Sequence, residues 1–397
     1  MSILSINAGS SSIKFALYPL QQQEIGPASL SGLIEGLQIG GAVLLRWRSE
    51  TAHHQSALDV PQNANIAVRF QLAMQALQDL LEKQTQGEKI QAIAHRVVHG
   101  GSFFRQALIV NAEHLQQLRS LCELAPLHQT HNLAGIEGFA KTFPNVPQVA
   151  CFDTAFHVDL PQEEYLFALP KALTQTGIRR YGFHGLSYQY VMNALQQQSK
   201  RAQGRVVMAH LGNGASVCAA REGKSRATSM GFSALDGLMM GTRSGSIDAG
   251  VILHLLAQGW SQEKLQHLLY SESGLFGVSG LSADMRTLRQ SDTPDAALAI
   301  RMFTYRVIRE TGAMIAAIGG IDVLAFTGGI GEHDIHLRED VCRGLSFLGV
   351  QLDTEKNRAE TGDRLAALHS SDSTVEIYLV PTDEGRVAAQ EAAHLLA

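Results

Sequence analysis

The sequence predicts an α/β chain of two domains. Apolar residues recur at helical spacing at Ile66, Phe70, Ala73, Leu77 and Leu80–Leu81, and again at Met302, Tyr305, Ile308 and Ile315. Short Val/Ile/Leu/Phe runs at 3–6, 92–98, 148–152, 205–209 and 322–326 read as strands. Together these periods place the chain in the α/β class. At roughly 100–200 residues per domain, 397 residues suffice for two separate cores.

Composition narrows the function. With 45% hydrophobic and 17% charged residues the chain is an ordinary globular protein, which excludes disorder, collagen and coiled coil. A net charge of -5 gives a nucleic-acid backbone no basic field to bind, so a small anionic ligand would need local positive charges. Cys122, Cys151, Cys218 and Cys342 lie too far apart for a zinc or redox motif. The start, Met1-Ser-Ile-Leu-Ser-Ile-Asn7, has no signal-peptide pattern, and no apolar run approaches the ~20 residues of a membrane span. A cytoplasmic protein is expected.

Three Gly-rich turns follow strand-like runs. Asn7-Ala-Gly-Ser-Ser-Ser12 links Ile3–Ile6 to Ile13–Leu17, and Leu211-Gly-Asn-Gly-Ala-Ser216 links Val206–His210 to Val217–Ala220. At an offset of 204 these two turns superpose small residue on small residue, a faint internal repeat that two ordinary Gly-rich hairpins would also produce. The third turn, Thr327-Gly-Gly-Ile-Gly-Glu332, follows Val323–Phe326. Backbone amides in such turns can converge on an anion, and glycine admits both positive φ and the close approach of a phosphate.

Charged and polar residues sit where such an anion could meet them. In an extended His95-Arg-Val-Val-His-Gly-Gly101, Arg96 and Val98 project from one face and His95, Val97 and His99 from the other. A cation beside an apolar surface suits a short carboxylate. His95 and His99 lack the Glu and the helical phase of a metal-binding pair. His128 lies in the loop Ala125-Pro-Leu-His128, Asp153 ends an apolar strand, and His184 stands between Gly182 and Gly185. An Asp at such a strand end is more often a helix N-cap than a catalytic group, and His184 could equally be a stacked loop histidine. Arg243 occupies another Gly/Ser loop, and Glu384 follows the strand 377–380, where it could bind a metal or serve as a first-turn helix carboxylate. Arginines, loop histidines, phosphate cradles and separated carboxylates describe phosphoryl transfer better than nucleophilic hydrolysis. Neither a Gly-x-Ser-x-Gly elbow nor a P-loop is present.

In series, eight segments resemble those of the acetate kinases. They are Ile6-Asn-Ala-Gly-Ser-Ser-Ser-Ile-Lys14, His95-Arg-Val-Val-His-Gly-Gly101, Ala125-Pro-Leu-His128, Phe152-Asp-Thr-Ala-Phe-His157, Arg179-Arg-Tyr-Gly-Phe-His-Gly185, His210-Leu-Gly-Asn-Gly-Ala-Ser216, Met240-Gly-Thr-Arg243 and Phe326-Thr-Gly-Gly-Ile-Gly-Glu332. The resemblance implies two related actin-like (ribonuclease H-like) domains with an interdomain active-site cleft. Residues 1–150 plus 384–397 would form the first domain and 151–383 the nucleotide-binding second. It also implies a homodimer and direct in-line transfer of the ATP γ-phosphoryl to acetate, giving acetyl phosphate and ADP, with Mg²⁺, or Mn²⁺ in its place. A propionate or other short-chain acyl kinase is the nearest rival, and an actin-like ATPase without an acid substrate a remote one.

Carried over position by position, the resemblance implies a catalytic set of Arg96, Arg243, His184, Asp153 and His128. Arg96 and Arg243 would hold the carboxylate and the transferring phosphoryl, His184 would stabilise its charge, and Asp153 would orient the site. Arg96, Val98, Leu127, Phe183 and Ala234 would bind the acid. Ser10, Ser12, Lys14, His210, Leu211, Gly212, Asn213 and Gly214 would contact the nucleotide phosphates, with Asp284, Met285, Arg286, Gly329, Ile330 and Gly331 lining the adenosine side. Asn7 and Glu384 would organise the metal. Several positions depart from the family pattern. Ala234 replaces a proline near the acid's methyl group, Gly328 an alanine, His333 an asparagine, Leu186 and Tyr188 a Thr and a His, and Gly385 a second acidic residue. Gln129-Thr-His131 also replaces Asn-Pro-Pro.

Overall fold

The computed structural model describes residues 1–9, 11–38, 41–49, 52–61, 63–85, 87–125 and 128–397. These fold into two compact units, Met1–Ala155 with Asp383–Ala397, and Phe156–Thr382. A boundary at residue 150 would cut the strand Gln148–Phe152, which pairs throughout with Ile90–Val97, so the first unit runs on through Ala155.

Period-two alternation commits one face of the first sheet to the core. In strand Ser12–Gln21 the buried Ile13, Phe15 and Leu17 alternate with Ser12, Lys14 and Ala16. Ser2–Ala8 runs antiparallel to this strand and parallel to Ile90–Val97, which is parallel in turn to Gln148–Phe152. Leu30–Glu35, Leu44–Ser49 and His53–Ala57 continue the hairpin side as a meander. Helix Ile66–Thr85 buries Ala73, Met74, Leu77, Leu80 and Leu81 against Leu4, Ile6 and Ile13. Its apolar stripe starts later than the spacing predicts, since Ile66 is 46% exposed. Helix Glu384–Leu395 lies on Ser2–Ala8 and Ile90–Val97, where Ala388, Ala389, Ala392 and Ala393 permit close approach.

The second unit repeats this order. Arg205–Leu211 is antiparallel to Ala215–Arg221 and parallel to Val323–Thr327, which is parallel to Glu376–Leu379. Lys224–Thr228 extends the hairpin side. Val323–Thr327 is buried throughout, the pattern of a strand covered on both faces. The internal repeat is therefore real at the level of topology, but its offset fails across the turn. Ala8 and Ile13 enclose residues 9–12, whereas Leu211 and Ala215 enclose 212–214. Helix Pro294–Ala317 buries Ala299, Phe303, Val307, Thr311 and Met314. Of the 302/305/308/315 stripe Ile315 is buried, Met302 and Ile308 are half-buried and Tyr305 is 63% exposed, so the core face lies one step away from the first three. Among the described residues no helix is long and apolar enough to cross a membrane.

Candidate active site

In the first unit Asn7, Arg96 and Asp153 stand at or just beyond the carboxyl ends of three parallel strands, where open α/β sheets bind ligands. The period-two pattern holds along 95–99: His95, Val97 and His99 are buried, and Arg96 and Val98 half-buried. His95 Nε2 pairs with Gln148 Oε1 at 2.7 Å, and His99 Nδ1 accepts the Gly101 N–H at 2.9 Å. Burial pushes both rings down to about 4, so they are neutral core histidines at pH 7.

Arg96 is built into a carboxylate frame. Its Nε donates to Asp153 Oδ1 and Oδ2 at 3.0 and 3.1 Å and its Nη2 to Oδ2 at 2.6 Å, while Glu384 Oε2 lies 3.5 Å from Nε. Burial opposes the charge on Arg96, but Asp153 and Glu384 more than offset it and raise its pKa. Burial also pushes the Asp153 carboxyl up, and the three bonds from Arg96 act against this. Glu384 opens the helix Glu384–Leu395, where the helix dipole favours a negative charge. Its neighbour Gly385 has no room for a larger side chain: a Cβ there would lie 2.6 Å from Tyr18 Oη and 3.2 Å from Ser5 Oγ. Tyr18 Oη instead donates to Asp383 Oδ1 at 2.6 Å.

Helix Gln129–Thr142 starts from the half-buried His128 and clamps the strand ends. Asn132 Oδ1 accepts the Val98 N–H at 3.0 Å and its Nδ2 donates to Ala8 O at 2.9 Å. Gln129 exchanges bonds with the His99 backbone. Ser12 is half-buried and Lys14 exposed. Ser10 and Leu127 lie outside the described residues.

In the second unit His184 has φ 59° and ψ 25°, a left-handed conformation that costs a non-glycine residue strain and aims its ring. The ring stacks on His210 at 4.2 Å and 24°, and its Nδ1 lies 2.8 Å from Ser216 Oγ. His210 Nδ1 pairs with Ser187 Oγ at 2.8 Å. His157 Nε2 bonds the carbonyl of the buried Phe183 at 3.0 Å and Nδ1 bonds Ser225 Oγ at 2.8 Å, and burial pushes this ring down to about 4. Gly214 marks the point of convergence. A Cβ on it would lie 3.3 Å from His184 Nε2 and 3.8 Å from Arg243 Nη1, so an imidazole and a guanidinium face the turn 212–214. Arg243 Nη1 also donates to Ala234 O at 2.9 Å, and the Gly241 N–H to Asn213 O at 3.0 Å.

The third turn comes up beside the second, since a Cβ on Gly212 would lie 3.9 Å from Gly329 N. Gly328 has φ +76° and a Cβ there would lie 2.8 Å from Leu211 O, which accounts for glycine in place of alanine. Glu332 Oε1 accepts from Gly328 N at 2.9 Å and Thr382 N at 3.1 Å and closes this turn around Ile330 and Gly331. Asp284 and Arg286 pair with each other at 2.7 Å at the start of helix Met285–Arg289, and Met285 is buried. Ala283, just before them, touches the position of Gly241. His333 Nδ1 bonds Thr361 O at 2.8 Å. Asn132 lies outside every sequence motif, while Ser216 and Glu332 stand in the sequence only as motif ends and Tyr188 only as a departure from the family pattern; their supporting roles come from the fold.

Two sheets of one strand order, with Gly-rich turns, arginines and histidines at their strand ends, define an actin-like kinase that transfers a phosphoryl group to a carboxylate. The chain belongs to the acetokinase family, whose model matches residues 2–390. It is 45% identical over 391 residues to an acetate kinase from Rhodopseudomonas palustris, covering 98% of this chain and 96% of that one. It is 43% identical over 403 residues to one from Methylocella silvestris, covering 99% and 98%. The crystal structure of Porphyromonas gingivalis acetate kinase matches it with a TM-score of 0.89 at 34% identity over 100% of both chains. A propionate kinase from Francisella tularensis matches with a TM-score of 0.88 at 36% identity over 98% of both.

Proposed function

We propose that this chain catalyses the reversible transfer of the ATP γ-phosphoryl to acetate, giving acetyl phosphate and ADP by direct in-line attack. The observation that carries this reading is the convergence of His184 Nε2 and Arg243 Nη1 on the Gly214 turn. It supplies a backbone cradle, an imidazole donor and a fixed cation in one place, as a phosphoryl group with charge on its equatorial oxygens requires.

Acetate is already ionised at pH 7, so no base is needed, and the obstacle is repulsion between two anions. Arg96, oriented by Asp153 and Glu384, is the cation that holds the carboxylate, with Val98 on the same strand face; the likeness to the acetate kinases assigns the acid's methyl end to Phe183, Ala234 and Leu127. Arg243 and His184 stabilise the transferring group, and His128 adds a hydrogen bond. Lys14, Ser10, Ser12, His210, Leu211, Gly212, Asn213 and Gly214 bind the phosphates, and Asp284 to Arg286 with Gly329 to Gly331 bind the adenosine side. Asn7 and Glu384 offer the hard oxygen donors that suit Mg²⁺ or Mn²⁺. Among the described residues no three His, Cys, Asp or Glu side chains form a protein-only cage, and Mg²⁺ needs none when it shares the substrate's phosphates. When bound, the ion would neutralise phosphate charge, with Asn7 and Glu384 holding it.

A homodimer in the cytoplasm completes the proposal. Helix Ala249–Ala257 is apolar yet buries no residue within this chain; Leu253 is 67% and Leu256 46% exposed, which favours a second copy as its cover. Hydroxylamine trapping tests the reaction. Acetyl hydroxamate formed from ATP and acetate is the expected product, and ATP hydrolysis without it would overturn the reading in favour of a nucleotide-driven machine.

A further inference from the structure

Behind His184 lies a buried chain of hydroxyl groups. Tyr188 is fully buried, and its Oη lies 2.5 Å from Ser216 Oγ, which lies 2.8 Å from His184 Nδ1. Ser216 is fully buried too. Tyr188 is on the helix Gly185–Gln198 that His184 caps, and Ser216 is on the strand Ala215–Arg221, so the chain ties helix to sheet directly beneath the ring.

The proton positions follow from counting donors and acceptors. Ser216 has one hydroxyl proton and two neighbours, Tyr188 Oη and His184 Nδ1. The phenol is the stronger acid of the two hydroxyls, so it donates to Ser216, and the serine proton then points to His184 Nδ1. An imidazole that accepts at Nδ1 carries its own proton on Nε2. Nε2 is the atom 3.3 Å from the Gly214 Cβ position, facing the turn.

We propose that Tyr188 and Ser216 are positioning residues that fix His184 as the Nε2–H tautomer and lock its ring plane, so that a hydrogen-bond donor faces the transferring phosphoryl. This rests on the role given to His184 in the proposed reaction. The left-handed backbone of His184 is consistent with it, because a strained residue keeps one orientation only where surrounding contacts over-determine it. Without the tyrosine donor, Ser216 is free to accept from Nδ1–H instead, and the bare Nε2 would then present a lone pair to an anion.

Protein labelled with ¹⁵N-histidine reports the tautomer by long-range ¹H–¹⁵N correlation, with the His184 signals assigned by their loss in His184→Gln. The wild-type ring is expected to show a protonated Nε2 and a bare Nδ1. Tyr188→Phe, which removes one oxygen, should move both nitrogens toward averaged shifts. It should lower kcat roughly tenfold to a hundredfold, with KM for acetate and ATP nearly unchanged. Ser216→Ala should produce the same spectral change and serves if Tyr188→Phe does not fold. His184 signals and kcat unchanged in the variant would overturn the proposal. Failure of the broader reading looks different: no hydroxamate from the wild type, or full activity in His184→Gln, removes the reaction or the role of His184 whatever the spectra show.

Discussion

Asp153 receives three hydrogen bonds from Arg96, the shortest 2.6 Å, and is itself 1% exposed. The guanidinium is thus oriented by the protein before any acid arrives, so its alignment costs nothing at the moment of reaction. The same frame makes the two residues interdependent. Removing Asp153 leaves Arg96 with Glu384 at 3.5 Å in place of three hydrogen bonds.

Arg96→Ala and Arg243→Ala should each lower kcat by about two to three orders of magnitude while the far-ultraviolet circular dichroism stays native. Arg96→Lys should fail as well, since an ammonium cannot reproduce a planar fork. Asp153→Asn should lower kcat by misaligning Arg96. Wild-type turnover in both alanine variants would remove the arginines from the mechanism.

In the proposed reaction Ala234 takes the place of a bulkier proline beside the acid's methyl end, and one more methylene accommodated there is worth about 0.8 kcal/mol of burial. Propionate should therefore be turned over measurably, with acetate still preferred. Ala234→Pro should sharpen the preference for acetate roughly fourfold, the same energy expressed as a ratio. Acid-by-acid kcat/KM measures both, and propionate at background would contradict the expectation.

Stability should fall as pH drops from 6.5 toward 4. His95, His99 and His157 are each depressed by burial to about 4, from 6.5. Between these values the unfolded chain binds protons that the folded one excludes, so each contributes stability that is present above pH 6.5 and lost on acidification, up to about 3 kcal/mol apiece. Glu391 has the opposite sign. Burial pushes it up to about 7, so its contribution is present below 4.5 and lost as pH rises through 7. Glu391→Gln should raise Tm at pH 8 relative to wild type and do less at pH 5; thermal melts across this range read both trends.

Leu253→Glu should convert a dimer into monomers in sedimentation, because it places a charge at the centre of the exposed apolar helix Ala249–Ala257. Unchanged sedimentation would move the interface elsewhere.

The sequence by itself carried whatever depends on local period and on residues in series. Alternation along 95–99 placed Arg96 and Val98 on one face because a strand's side chains reverse at every residue. The Gly-rich turns and the ordered motifs pointed to the family for the same reason, as each is contiguous. Tertiary structure decided the rest. The phase of helix Pro294–Ala317 went astray because Phe303, Val307 and Thr311 are chosen by the surface they pack on, which spacing alone does not reveal. Folding alone brings Tyr188 to Ser216, Asn132 to Ala8, and Tyr18 to Asp383, contacts of 2.5, 2.9 and 2.6 Å between residues far apart in the chain. Hydrogen bonds act over a few ångströms, and only the packed sheets and helices set those distances.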